Sequence, residues 1–345
     1  MLAEWKKIEA GELSSVYLIV GTEDYIINET KNKILAASLN EEEMEFNYVH
    51  FDLEDTSIDE VLEEAETLPF FGDKRIVIAS NPFFLTTEKT KSKIEHHTKK
   101  LEAYLQDPAD YSILIFVARV DKLDERKKLT KLIKQQATII EAKRPNEAGF
   151  IKWIQNTITV TQFKMDQPSI IRLMELTGGN LTTAMNELQK QMLYKFATKE
   201  ILIADVELLV VRSLEENIFL LIDKIIAVDI ASALRIYYDL LKQKEEPIKI
   251  MALIASQFRL LTQLKILEKQ GYSAQQAASK LKVHPFRVKM ATKQARAFAE
   301  EELESLLLRL SEIDLEMKSG YGNKEQKFEW FLFELSDKKK KHHTI

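Results

Sequence analysis

The chain has 345 residues, 45% of them apolar, with no cysteine and a net charge of −5. That length provides for two or three domains with buried cores, and the missing cysteines exclude disulfides and thiolate metal sites, which makes a reducing, cytoplasmic setting the expectation. An acidic balance is no magnet for nucleic acid, so DNA contact is left to a local patch, and neither a targeting segment nor a membrane span is expected.

The first predicted strand is "VYLIV" at 16–20, followed by a glycine turn at Gly21 and a helix, the layout in which many proteins hold a nucleotide phosphate. A loop of that kind needs G-x-x-x-x-G-K-[ST], because several backbone N–H groups and a lysine must reach the phosphates. Here Thr22, Glu23, Asp24 and Tyr25 follow, with no second glycine and no lysine before Lys31. Two carboxylates at the phosphate position repel a polyanion. Further strands are expected at 47–51, 75–80, 111–117 and 137–142. Between them lie segments of helical spacing, such as Ile58, Val61, Leu62 and Ala65. Near-continuous apolar strands alternating with helices predict a mostly parallel five-stranded α/β sheet covered on both faces.

In "DEVLEEAETLPFFGDKR" the spacing places Val61, Leu62, Ala65 and Leu68 on one helix face, and Pro69 ends or bends the helix. Phe70 and Phe71 are consecutive, so they diverge by about 100° on a helix and about 180° on a strand. Both rings cannot point into one core. By the residues alone, one fills the core and a neighbouring helix partly covers the other.

A magnesium-binding strand would end in Asp-Glu. The strand "YSILIFV" runs instead into Ala118, Arg119 and Val120, so that Asp121 and Asp124 belong to a charged loop. No metal site is expected, since His96 and His97 are adjacent and zinc-binding pairs on a helix stand about four residues apart. No catalytic or cofactor-binding residues are identified.

From Pro145 onward the pattern is helical and no strand is expected. Helices are predicted across 146–158, 167–196 and 203–213, with Gly178 and Gly179 closing one helix and Asn180 capping the next. A longer helical region from about 214 to 335 is broken at Pro247, Gly271, Pro285 and Gly320 to Gly322. Within it, Lys280, Lys282, Arg287, Lys289, Lys293 and Arg296 are interleaved with His284 and Phe286. Basic residues among flat rings can hold a phosphate backbone and stack on a base, while the same spacing serves equally as a solvated face offsetting the acidic run Glu300 to Glu304. Lys282, His284, Arg287 and Lys289 are the DNA-contact candidates. The final "DKKKKHHTI" reads as a solvated, disordered tail.

Four stretches in order, "VYLIVGTEDYI", "AETLPFFGDKRIVIA", "TGGNLTTAMNELQK" and "LKVHPFRVKMATKQARAF…LLLRLSEIDLEMKSG", resemble the delta subunits of bacterial DNA polymerase III over essentially the whole chain. The resemblance implies a degenerate AAA+ module followed by an all-α collar: residues 1–143 as the α/β domain, 144–212 as a small helical lid and 213–345 as the collar. It implies a non-catalytic clamp-loader subunit that neither binds nor hydrolyses ATP. Its partners would be the sliding clamp (the beta subunit), the tau/gamma and delta prime subunits, and primed DNA, with no membrane. Leu68, Phe70 and Phe71 match the hydrophobic plug that enters a pocket on the clamp, with Phe-Phe here where other members have Leu-Phe. The alternatives are an atypical AAA+ ATPase or a helical adaptor unrelated to replication.

Overall fold

The computed structural model describes residues 2–87, 92–320 and 322–342. The chain divides into two compact units, Met1–Arg144 and Pro145–Ile345.

The first unit opens with helix α1 (Leu2–Glu9) and is built on strands β1 (Val16–Gly21), β2 (Tyr48–Asp52), β3 (Arg75–Ser80), β4 (Ser112–Ala118) and β5 (Thr138–Ala142). They form one sheet in the order β2-β3-β4-β1-β5, with every pair parallel. All five lie within a residue of the expected positions. Helices α2 (Asp24–Ser38), α3 (Glu41–Asn47), α4 (Ile58–Ala65), α5 (Thr98–Tyr104) and α6 (Lys128–Gln136) connect them. The buried strand residues Val16, Leu18, Val77, Leu114 and Phe116 share a core with Ile58, Val61, Leu62 and Ala65 of α4 and with Leu101 and Ile133. Parallel strands covered by helices bury both faces, which is why β4 is buried throughout and, after Ser112, wholly apolar.

In the second unit α7 (Glu147–Val160), α8 (Gln167–Leu176), α9 (Leu181–Tyr194) and α10 (Ile203–Leu209) come first. Asn180 caps α9 by accepting from the Thr183 N–H at 2.9 Å, after Gly178 and Gly179, both at positive φ. Two short strands, β6 (Lys164–Met165) and β7 (Glu200–Ile201), pair in parallel here and correct the expectation of a purely helical region. Two-residue strands are too short to carry an alternating signal.

Seven helices complete the unit: α11 (Leu214–Ile226), α12 (Ile230–Lys242), α13 (Pro247–Lys269), α14 (Ala274–Leu281), α15 (Pro285–Ala295), α16 (Glu300–Lys318) and α17 (Lys324–His342). Prolines stand at the first turns of α13 and α15, where the missing N–H has no partner to lose. Although no membrane span is expected from the sequence, α13 is long and apolar enough to cross a membrane by length and composition alone. Its Ile250, Ile254, Phe258 and Leu261 are buried among Leu306, Leu310 and Phe331, as a core helix requires. The backbone of α17 is helical through His342, which corrects the expectation of disorder for most of the tail; residues 343–345 lie outside the described residues.

Candidate interaction site

The turn between β1 and α2 has phosphate-loop topology, but the chain's own carboxylates occupy it. Glu23 caps α2, its side chain accepting from the Tyr25 N–H at 3.4 Å, while its own N–H donates to the Ala142 carbonyl at 2.9 Å. Burial raises the pKa of Glu23, partly offset by the Tyr25 N–H and by Arg144. The next residue, Asp24, is ion-paired with Arg119. The helix N-terminus that would attract phosphate therefore already faces two acidic side chains. Beyond β4, Asp124 is tied to Arg126 by two 2.9 Å hydrogen bonds, and the guanidinium holds its pKa down to about 2. It is engaged as an ion-pair partner in the loop. Among the described residues no group of three or more His, Asp or Glu forms a metal cluster. Millimolar ATP is accordingly expected to leave the melting temperature of the purified chain unchanged. A dose-dependent rise, the mark of a ligand bound to the folded state, would overturn this reading.

The segment after α4 is different. A capping box starts this helix, with the Ser57 side chain accepting from Glu60 and Glu60 returning to the Ser57 N–H. The helix stops at Ala65, short of Pro69. Leu68 therefore does not continue the buried face as expected, because a residue before proline is driven toward extended backbone. It stands 68% exposed, with Phe70 at 67% and Phe71 at 55%. Neither ring enters the core. They touch edge to face at 4.6 Å between centroids, and a third ring, Phe46 of α3, lies 5.4 Å from Phe70 and 5.8 Å from Phe71. Phe46 is itself exposed, as is Met44 on the same helix. Charge patterning conceals them, because α3 reads "EEEMEFN" and looks like a purely solvated segment.

The base of this apolar tip is braced on both sides. Glu64, in the last turn of α4, is ion-paired with Arg75 at the start of β3. The Tyr111 hydroxyl donates to the Glu66 carbonyl at 2.8 Å, and Lys74 donates to the Asp110 carbonyl at 2.6 Å. Gly72 turns the chain at φ +71°, and a Cβ there would overlap the Glu43 carboxylate. The positive φ is what calls for glycine, since the Glu43 carboxylate ends a flexible side chain.

The basic segment of the second unit is organised otherwise. Phe286 is buried, which corrects the expectation that it could stack on a base, and the His284 ring caps α15 by accepting from the Phe286 N–H at 3.2 Å. Lys289 is ion-paired with Glu147, and Arg287 faces Glu216 at 3.7 Å. Lys282 is exposed, with left-handed backbone at the end of α14. Glu300, Glu301 and Glu302 of the acidic run occupy the first turn of α16, where the helix dipole favours them, and Glu300 pairs with Lys269.

Comparison with known proteins gives the family. The sequence model of the DNA polymerase III delta subunit matches residues 17–143, and a second model, for the C-terminal domain of that subunit, matches residues 215–335. DNA polymerase III subunit delta of Bacillus subtilis (strain 168) is 45% identical over 337 residues, spanning 98% of this chain and 97% of that protein. This chain belongs to the DNA polymerase III delta subunit family. Among solved structures, the DNA clamp loader delta protein of Bacillus subtilis superposes with a TM-score of 0.88 at 45% identity, covering 98% of this chain and 100% of that one. As a delta-family chain it has the expected fold, a parallel five-stranded α/β unit followed by helices.

Proposed function

We propose that this chain is the clamp-opening subunit of a DNA polymerase III clamp loader, acting in the cytoplasm to place a sliding clamp on primed DNA. The observation that carries the reading is the braced tip, on which Leu68, Phe70 and Phe71 stand in solvent above a fixed base. An exposed apolar anchor of this size is costly to keep in water unless a pocket receives it, and such anchors supply most of the affinity of a modest interface. In this reading residues 144–212 form the lid and 213–345 the collar. Exposed Leu308, Leu315, Trp330 and Phe333 on α16 and α17 offer apolar surface to the neighbouring tau/gamma and delta prime subunits.

A binding protein opens a closed ring only by binding the open form better than the closed one; equal affinity for both shifts nothing. The tip therefore acts as a wedge. The test is titration of the full chain against an intact sliding clamp and against a clamp whose subunit interface has been weakened by substitution. Binding at least about tenfold tighter to the weakened clamp is expected, a preference of about 1.4 kcal/mol available for opening. Equal affinity would leave a clamp-binding protein that does not open the ring, and no binding to either form would end the clamp reading.

A further inference from the structure

Asn47, the last residue of α3, is completely buried, yet its side chain serves the most exposed part of the first unit. The Oδ1 atom accepts from the Phe70 N–H at 2.8 Å, and the Nδ2 group donates to the Phe71 carbonyl. One carboxamide thus satisfies a backbone donor and a backbone acceptor on the two residues whose rings project outward. We propose that Asn47 is the positioning residue of the apolar tip, holding the Phe70–Phe71 backbone so that both rings are set in their outward orientation before a partner arrives. The proposal rests on the clamp reading for its functional consequence and on the hydrogen bonds for its structural one.

The chemistry is selective for asparagine. Aspartate keeps the acceptor but places an oxygen against the Phe71 carbonyl, alanine removes both groups, and glutamine carries the amide one methylene too far. Above the braced base, Phe70 and Phe71 themselves have little else to fix them. Phe70 and Phe71 are more than half exposed and make no core contact that would set their direction, and Pro69 and Gly72 flank them without a helix or strand to continue. A tip left to fluctuate would spend part of its binding free energy on ordering itself, whereas one held in place keeps that energy for the partner. Placement points the same way. Phe46 and Asn47 are consecutive on α3 and so point about 100° apart, which lets one helix end lay a ring against Phe70 and Phe71 while anchoring their backbone from below.

The experiment uses the full chain with Asn47→Ala and the near-isosteric Asn47→Asp, alone and combined with Phe70→Ala/Phe71→Ala, and reads clamp affinity, melting temperature and the rate of chymotryptic cleavage after Phe70 or Phe71. Each single Asn47 variant is expected to weaken clamp binding about tenfold, the equivalent of one to two lost hydrogen bonds, and to speed tip cleavage at temperatures far below melting. In the ring-less background neither substitution should weaken residual clamp binding further. Unchanged affinity with a protease-resistant tip would overturn the proposal. So would an equal loss of affinity in both backgrounds, which would mean that Asn47 acts by something other than aiming the rings. The two readings fail separately. If Phe70→Ala/Phe71→Ala binds the clamp as the parent does, the clamp site lies elsewhere, and the cleavage rate still decides whether Asn47 holds the tip.

Discussion

Replacing Phe70 and Phe71 together by alanine is expected to weaken clamp binding about a thousandfold while leaving the fold standing. Both rings are more than half exposed, so their removal opens no cavity in the core shared by α4 and the sheet. The loss is confined to contacts among Phe46, Phe70 and Phe71, and edge-to-face pairs of this kind are worth about 0.5–1.5 kcal/mol each beyond their burial. A fall in stability of about 1–3 kcal/mol for the pair is therefore expected, against about 3–5 kcal/mol for each Phe truncated inside a core. Affinity should respond on a different scale. Aromatic anchors at an interface commonly cost 2 kcal/mol or more when truncated, so the pair corresponds to a loss of about a thousandfold, allowing for coupling between touching rings. Thermal unfolding and clamp titration on the same variant separate the two effects. A large drop in melting temperature would make the rings core residues, and affinity within about twofold of the parent, far below the cost of an anchor, would move the clamp site elsewhere.

Phe46→Ala gives a contrast on the same surface. Its ring touches both others but starts from a helix, and its exposure of 46% is lower than that of Phe70 or Phe71. As a flank of the anchor it should cost less than either, in keeping with the fall of energetic weight from the centre of an interface to its edge.

The strands of the first unit are legible because parallel strands buried on both faces are apolar runs, and β3 and β4 carry polar residues only at their ends. Proline and glycine marked most helix ends in the second unit for the same kind of reason, since each restricts or frees φ whatever the surroundings. The tip was half legible. Pro69 and the adjacent rings mark a departure from the core, but the apolar spacing carries the helix face to Leu68, whereas the helix ends at Ala65. Its second wall was not legible at all. Asn47 reads as the first residue of a strand and is the last of α3, a shift of one position that turns a strand amide into the anchor of the tip. No local pattern reports that a polar side chain will meet a backbone more than twenty residues away. The basic segment misled for a related reason. Lys289 and Arg287 meet Glu147 and Glu216, acidic residues distant in sequence, and Arg296 meets Glu268, so half of the cations visible along the chain are paired in space.

Gly21 carries the largest effect expected of a single methyl group. The residue ends β1 at φ +141°, a conformation side-chain-bearing residues rarely adopt, and pairs with Ala142 of β5. A Cβ built there would fall on the Ala142 carbonyl, which is backbone and cannot swing aside as a flexible side chain could. That carbonyl also accepts the Glu23 N–H at 2.9 Å, so moving it away would break the hydrogen bond that seats the start of α2. Glycine is thus needed at this turn for the approach of one strand to another, independently of any phosphate. Gly21→Ala combines backbone strain, typically about 1–3 kcal/mol, with overpacking of similar size, so a loss of about 3 kcal/mol or more is expected. Gly11 is the control. It also has positive φ, at +81°, but nothing lies within 4 Å of its added Cβ, so Gly11→Ala should cost only the backbone term. Denaturant unfolding of the two variants measures the difference. If Gly21→Ala were no worse than Gly11→Ala, β5 could yield at Ala142, and close strand approach would no longer explain why the emptied phosphate turn keeps its glycine.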